Sequence, residues 1–241
     1  QADQSFYMAQ IPIFPARDAA NLLAWDAYVA HYNGNNDRAL ENYKSILQLS
    51  QHIAQCPSIG GISIASGMVE NLKAPFAEFI IDAPFSDEAV NSFSTTLDAF
   101  DLNENLHIAF QGELLIAIEI FSHIGEGNLD AQYFFAMNSA SFSMGEQIMG
   151  IATRLPVSDF IISHDEANLL EIYREAIQQL STPYPETTRL TYDDRFTWRT
   201  PMLCRPIPNF YRYRQSIVHT TLYVHQLRVA LAINRYHQTT N

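Results

Sequence analysis

Apolar residues recur at spacings of three and four along most of this chain, a period that a helix satisfies and a strand does not. Leu22, Leu23, Trp25, Ala27, Val29 and Ala30 form one such stripe, opened by Asp18 and closed by Asn33-Gly34, where glycine accepts the left-handed conformation of a helix end. Ala39, Leu40, Tyr43, Ile46, Leu47, Leu49 and Ile53 form the next, with Asp37 at its start and Pro57 beyond its end. A third helix is expected from about Pro57 to Phe79. Its first half, Ser58 to Gly67, is rich in small residues and competes with a strand reading over Ile59–Ala65, since Ile62 and Ile64 alternate. The helix prevails because the period continues through Met68, Val69, Leu72 and Phe76.

The same logic places a helix from Ser86-Asp87-Glu88 to about Phe100 and another from Asn103 or Asn105 to Gly125. A Phe- and Met-rich helix is expected from Asp130 to about Arg154. Ser163 and Glu166 read as a capping box opening a helix that ends near Leu180. Residues 181–208 carry Pro183, Pro185, Pro201, Pro206 and Pro208 and read as a long loop. The final helix, about 209–238, is the longest and is expected to close the assembly. Strand alternation is lacking elsewhere, so the expectation is an all-α fold of about eight helices in a single domain spanning residues 1–241. Its N-terminal half reads as a helical repeat, closed by the C-terminal helix.

Composition removes several classes of function. Fourteen basic against 26 acidic residues give a net charge of −12, and no Lys/Arg cluster offers the basic face that a phosphate backbone needs, so nucleic acid is not an expected partner. No apolar run is long enough to span a bilayer; the best, Ala109–Phe121, is interrupted by Gln111, Glu113 and Glu119. Gly-x-Ser-x-Gly, a phosphate loop, Gly-x-Gly-x-x-Gly, Cys-x-x-Cys and His-Glu-x-x-His are all absent, so no catalytic residue, cofactor or catalytic metal is expected. Glu104 with His107 and Glu119 with His123 are single matches to patterns that a bundle metal site would need in pairs.

Four residues are the candidates for a binding site. Glu113 and Glu119 lie in the most apolar stretch, where a buried carboxylate requires a partner, and Arg212, Arg214 or Arg228 of the last helix could supply one, Arg214 and Arg228 being the two candidates. The bland reading is a structural ion pair; the sharper one is a polar site at the bundle centre. Cys56 and Cys204 are the only cysteines, and their Pro-flanked positions suit either one long-range disulfide of an oxidising compartment or two separate thiols. Equal thiol counts in denaturant with and without reductant would reject the disulfide.

The hairpin of residues 18–55, with Trp25, Tyr28, Tyr32 and Tyr43 around Gly34-Asn35-Asn36-Asp37-Arg38-Ala39-Leu40, resembles a tetratricopeptide-type unit. Four longer stretches resemble an uncharacterised bacterial family of helical, exported or membrane-anchored proteins. They are Arg38–Leu40 through Leu49–Ala54 with Pro57–Gly60 and its apolar helix, Leu106–Ile120, the aromatic stretch Tyr133–Met137, and Tyr213-Arg214 to Leu231–Tyr236. That resemblance implies an all-α fold, export and further chain beyond Asn241; with a start at Gln1 that reads as processed or trimmed, the expected location is periplasmic or extracytoplasmic, with membrane anchoring through a removed N-terminal segment as one form of it. It implies no activity. The resulting expectation is a partner-binding or scaffold protein of the bacterial cell envelope with a protein partner. The alternatives are an enzyme with a central Glu/His site and a helical carrier of an apolar small molecule.

Overall fold

The computed structural model describes residues 13–72, 76, 79–80, 83–125, 158–182 and 209–240. The described residues form seven α-helices and no strand, in agreement with the all-α expectation. These are α1 (Ile13–Tyr32), α2 (Asn36–Ala54), α3 (Ile59–Glu70), α4 (Asp87–Ala99), α5 (Asn103–Gly125), α6 (Ser158–Leu180) and α7 (Phe210–Thr240). The expected Phe/Met-rich helix at 130–154 and nearly all of the Pro-rich stretch lie outside the described residues. By their contacts the helices fall into two compact units: α1 to α4, α5 as far as Ala109 and α7 from Arg212 form the larger, and the remainder of α5, α6, Phe210 and Tyr211 belong to the smaller.

Local chemistry explains each boundary in the larger unit. Gly34 has φ +76, which lets its N–H reach the His31 carbonyl at 2.8 Å and the Asn35 N–H reach the Ala30 carbonyl at 2.8 Å, so α1 ends in three residues of turn. The Asn35 side chain then accepts from the Arg38 N–H and starts α2. Ser58 caps α3 by accepting from the Gly61 N–H at 3.0 Å. Ser86 caps α4 through the Ala89 N–H at 3.2 Å, and its own N–H donates to Asp37 Oδ1 at 2.9 Å, tying the start of α4 to the first turn of α2. Asp37 therefore serves α4, and the cap of its own helix falls to Asn35.

Two expected starts and one expected end are corrected: the third helix, expected to run to about Phe79, ends at Glu70, where the Asn71 N–H closes on the Gly67 carbonyl. Asp18 lies inside α1, which begins at Ile13. Ser163 lies inside α6, which begins at Ser158, so Ser163 and Glu166 are not a capping box; Asp165 of the same stretch is fully buried and belongs to the packed face.

The core of the larger unit is aromatic. Tyr43 of α2 meets Phe76 edge-on at 4.7 Å, and Phe76 packs on Phe93 of α4 at 5.4 Å. Phe79 gathers Phe85 at 5.1 Å and the His31 ring at 4.6 Å. Aromatic pairs of this kind, edge-to-face in all but the tilted Phe76–Phe93, contribute about 0.5–1.5 kcal/mol each beyond the area they bury. Burial pushes the Tyr43 phenol up to about 12, and burial with the neighbouring Tyr43 pushes Tyr223 up further. In the smaller unit Phe210 is held edge-on between Phe110 at 4.5 Å and Tyr173 at 4.9 Å, and Leu169, Ile172 and Ala176 of α6 are buried.

Helix α7 is tied into the larger unit by polar groups at successive levels. Ser66 Oγ of α3 lies 2.8 Å from Ser216 Oγ and 2.6 Å from Thr220 Oγ1. Arg228 donates to the Leu97 carbonyl and pairs with Asp98 at 3.3 Å, placing a cation at the C-terminus of α4, where the free carbonyls and the helix dipole favour it. Gln51 of α2 donates to the Ala99 carbonyl of the same helix end at 3.0 Å. Asn234 and Gln238 both donate to the Ala83 carbonyl, at 3.1 and 3.0 Å.

The glycines of α3 have different roles. A Cβ on Gly61 would stand 3.0 Å from the Ile53 carbonyl oxygen and 3.0 Å from Cys56 Cβ, so that close approach depends on glycine; a Cβ on Gly67 would meet nothing within 4 Å. Gly61→Ala is therefore expected to lower unfolding stability by ~1–3 kcal/mol through overpacking, whereas Gly67→Ala is expected to raise it by ~0.5–1 kcal/mol through helix propensity. Urea unfolding followed by circular dichroism checks both signs.

Candidate interaction surface

The candidate surface begins with the rotation of α1 about its own axis. Ala20, Ala27 and Ala30 are buried, and with Leu23 they mark a line at spacings of three, four and three that faces the rest of the unit. Alanines on this line let α1 lie close to α2. Two polar anchors hold the same rotation. Asp26 accepts from Arg38 Nε at 3.1 Å and Nη2 at 2.8 Å, and from Asn42 Nδ2 at 2.5 Å; His31 Nδ1 lies 2.8 Å from Asn36 Oδ1. The Asn42 bond, with Arg38 adding its own hydrogen bonds and charge, holds the Asp26 carboxyl below its ordinary value.

With that face fixed inward, a second line of residues faces outward. Leu22, Trp25, Val29 and Tyr32 also run at three, four and three, offset from the first line by two residues, which is about 200° around a helix. They stand 71%, 70%, 52% and 83% exposed, with Tyr28 beside them at 53%. The apolar stripe expected to be core is therefore split. Ala27 and Ala30 are core, while Leu22, Trp25 and Val29 face solvent. Of the four aromatics associated with the hairpin, only Tyr43 lies in the core.

Helix α7 repeats the arrangement. Ile217, Thr220, Val224, Leu227, Leu231 and Asn234 are buried at alternating three and four, while Leu222, Val229, Ile233 and Tyr236 stand exposed on another side. The outer line of α7 is broken by the exposed Gln226, whereas the line on α1 from Leu22 to Tyr32 has no polar member.

The four residues singled out for a central polar site are placed differently. Glu119 is exposed and lies 3.8 Å from its helix neighbour His123. Glu113 is half-buried on α5. Arg228 is engaged at the end of α4 with the Leu97 carbonyl and Asp98, with His225 Nδ1 3.2 Å from its guanidinium. Arg214 is half-buried, and desolvation pulls its guanidinium below the ordinary value. Arg228 thus has a structural role as a helix cap. Glu104 and His107 are exposed. Among the described residues no group of three or more His, Cys, Asp or Glu side chains is placed to hold a metal ion. Cys56 is a free thiol among the described residues, 3.6 Å from Ser58 Oγ; Cys204 lies outside them. No described helix is long and apolar enough to cross a membrane.

The chain matches no family model, no curated protein and no solved structure.

The Asp26 anchor has a pH signature. Its carboxyl is held below the ordinary value of 3.8 in the folded chain, so its contribution is present above that value and is lost as pH falls through the lower folded pKa. The thermal midpoint of the wild type is expected to drop faster below about pH 4 than that of Asp26→Asn, which has no carboxylate to protonate. Parallel melts of the two proteins across acid pH check this; superimposable pH profiles would contradict the anchor.

Proposed function

We propose that this chain is a partner-binding or scaffold protein of the bacterial cell envelope and that it binds through the outer face of α1. The carrying observation is the exposed seam of Leu22, Trp25, Val29 and Tyr32 with Tyr28 beside it. Monomeric proteins rarely leave contiguous apolar patches larger than a few hundred square ångströms open to water, and larger ones mark interaction sites. Tyr and Trp are also the residues that most often dominate binding energy, because they bring large area at small rotamer cost. The seam belongs to a short-looped helical hairpin whose inner face is fixed by Asp26 and His31, so the side of α1 from which the rings project is set before any partner arrives.

The envelope assignment is supported by the resemblance of Arg38–Ala54, Leu106–Ile120 and Tyr213–Tyr236 to exported helical proteins. The tetratricopeptide-like character of residues 18–55 supports a binding role, since such hairpins present one helix face to ligands.

Affinity capture from envelope extract, with the wild type and Trp25→Asp/Tyr32→Asp as paired baits, tests the reading. A stoichiometric species retained by the wild type and lost from the variant is the expected result, with unchanged thermal melts because both side chains are exposed. Identical captures by the two baits would remove α1 from the reading.

A further inference from the structure

The occupant of the α1 face can be specified from its geometry, an inference that rests on the binding role proposed above. We propose that a second copy of this chain covers it, with two α1 helices packed antiparallel along their outer seams about a two-fold axis. Four observations converge on this. First, the spacing of Leu22, Trp25, Val29 and Tyr32 is that of the knobs with which one helix packs into another over three turns.

Second, the seam is complementary to itself. With the axis midway along it, Leu22 faces the partner's Tyr32 and Trp25 faces the partner's Val29, so each level sets a large ring against an aliphatic side chain, as close packing requires. A two-fold contact needs this kind of self-matching patch. The helix dipoles oppose, which favours the antiparallel sense.

Third, the extent fits. Aromatic side chains carry 150–250 Å² each, so Trp25, Tyr28 and Tyr32 at their observed exposure, with Leu22 and Val29, present on the order of 600–700 Å². A stable interface needs ~800 Å² per partner, and the flanking turns of α1 and α2 can supply the remainder.

Fourth, the charge pattern argues against a basic partner. The chain carries −12 overall, yet between Leu22 and Tyr32 the seam itself carries no charged side chain: Asp18 stands one turn before Leu22, and Asp26 beside the seam is engaged by Arg38 and Asn42. A basic ligand would find no acidic group to pair with between Leu22 and Tyr32, and in the antiparallel arrangement those four levels set no like charges opposite each other, the two Asp18 side chains lying beyond opposite ends of the contact. Since each α1 already lies on its own α2, the product is a four-helix layer of two hairpins.

Sedimentation velocity of the full chain, from submicromolar to high-micromolar concentration, reads this directly. A monomer–dimer equilibrium is expected, weakened roughly 30-fold or more in Trp25→Asp, the loss typical of a central aromatic anchor. Val229→Asp, on the separate outer line of α7, is expected to dimerise like the wild type. Added salt is expected to tighten the dimer by screening the repulsion of two acidic chains. A chain that stays monomeric throughout, or a dimer lost in Val229→Asp and kept in Trp25→Asp, would overturn the proposal. In the monomeric case, a capture lost in Trp25→Asp/Tyr32→Asp would leave the binding role of α1 standing with a different occupant, and an unaltered capture would remove both.

Discussion

The larger unit depends on how α7 is tied to three other parts of the chain. Each tie is a buried or half-buried polar group that cannot be left without a partner cheaply: the hydroxyls of Ser66 and Thr220, the end carbonyl of α4 met by Arg228, and the Ala83 carbonyl met by Asn234 and Gln238. Apolar contacts alone would permit α7 to rotate or slide by one turn at small cost. The hydroxyl, guanidinium and amide groups match only one register, so they select a single seating of the helix. That seating places Ile217, Val224, Leu227 and Leu231 inward and commits Leu222, Val229, Ile233 and Tyr236 to solvent.

The same principle acts on α1 with different groups. Its inner line is mostly alanine, with Leu23 the one large member, and alone it would specify rotation weakly. Asp26 against Arg38 and Asn42, and His31 against Asn36 and Phe79, supply the specification. The consequence is functional. A helix with two apolar lines must expose one of them, and the polar anchors decide that the exposed line is the one bearing Trp25 and Tyr32. The energy of burying those rings, about 1.5–3 kcal/mol for each large side chain, is then left for an intermolecular contact.

Helix type and most boundaries were legible in the sequence because local chemistry determines them. Ser86 before Asp87-Glu88 and Asn33-Gly34 at the end of α1 are where caps and turns demand those residues; at the head of α5 the accepting side chain is Asp101, which takes the Asn103 N–H at 2.8 Å. The face of α1 was not legible, since Leu22, Trp25 and Val29 are larger and more apolar than Ala20, Ala27 and Ala30, and any hydropathy-weighted reading buries the larger set. The usable signal was the presence of two lines offset by two residues, one of them alanine at three of its four positions. The start of α6 was misread because Ser163-His164-Asp165-Glu166 has capping chemistry, while the fully buried Asp165 shows that this stretch packs as helix interior. Arg228 read as a partner for a buried glutamate, and it serves a helix end 131 positions away, a contact that no local pattern encodes.

Quenching of Trp25 fluorescence tests the central claim, that α1 turns its large side chains away from its own fold and toward a partner. In a Trp198→Phe background Trp25 is the only indole in the chain. At concentrations below self-association its emission should be red-shifted and readily quenched by acrylamide, as expected for a ring 70% exposed, and quenching should fall as the protein is concentrated. A Trp25 that is blue-shifted and protected at the lowest concentration would show that the chain covers this face itself, and the account would fail.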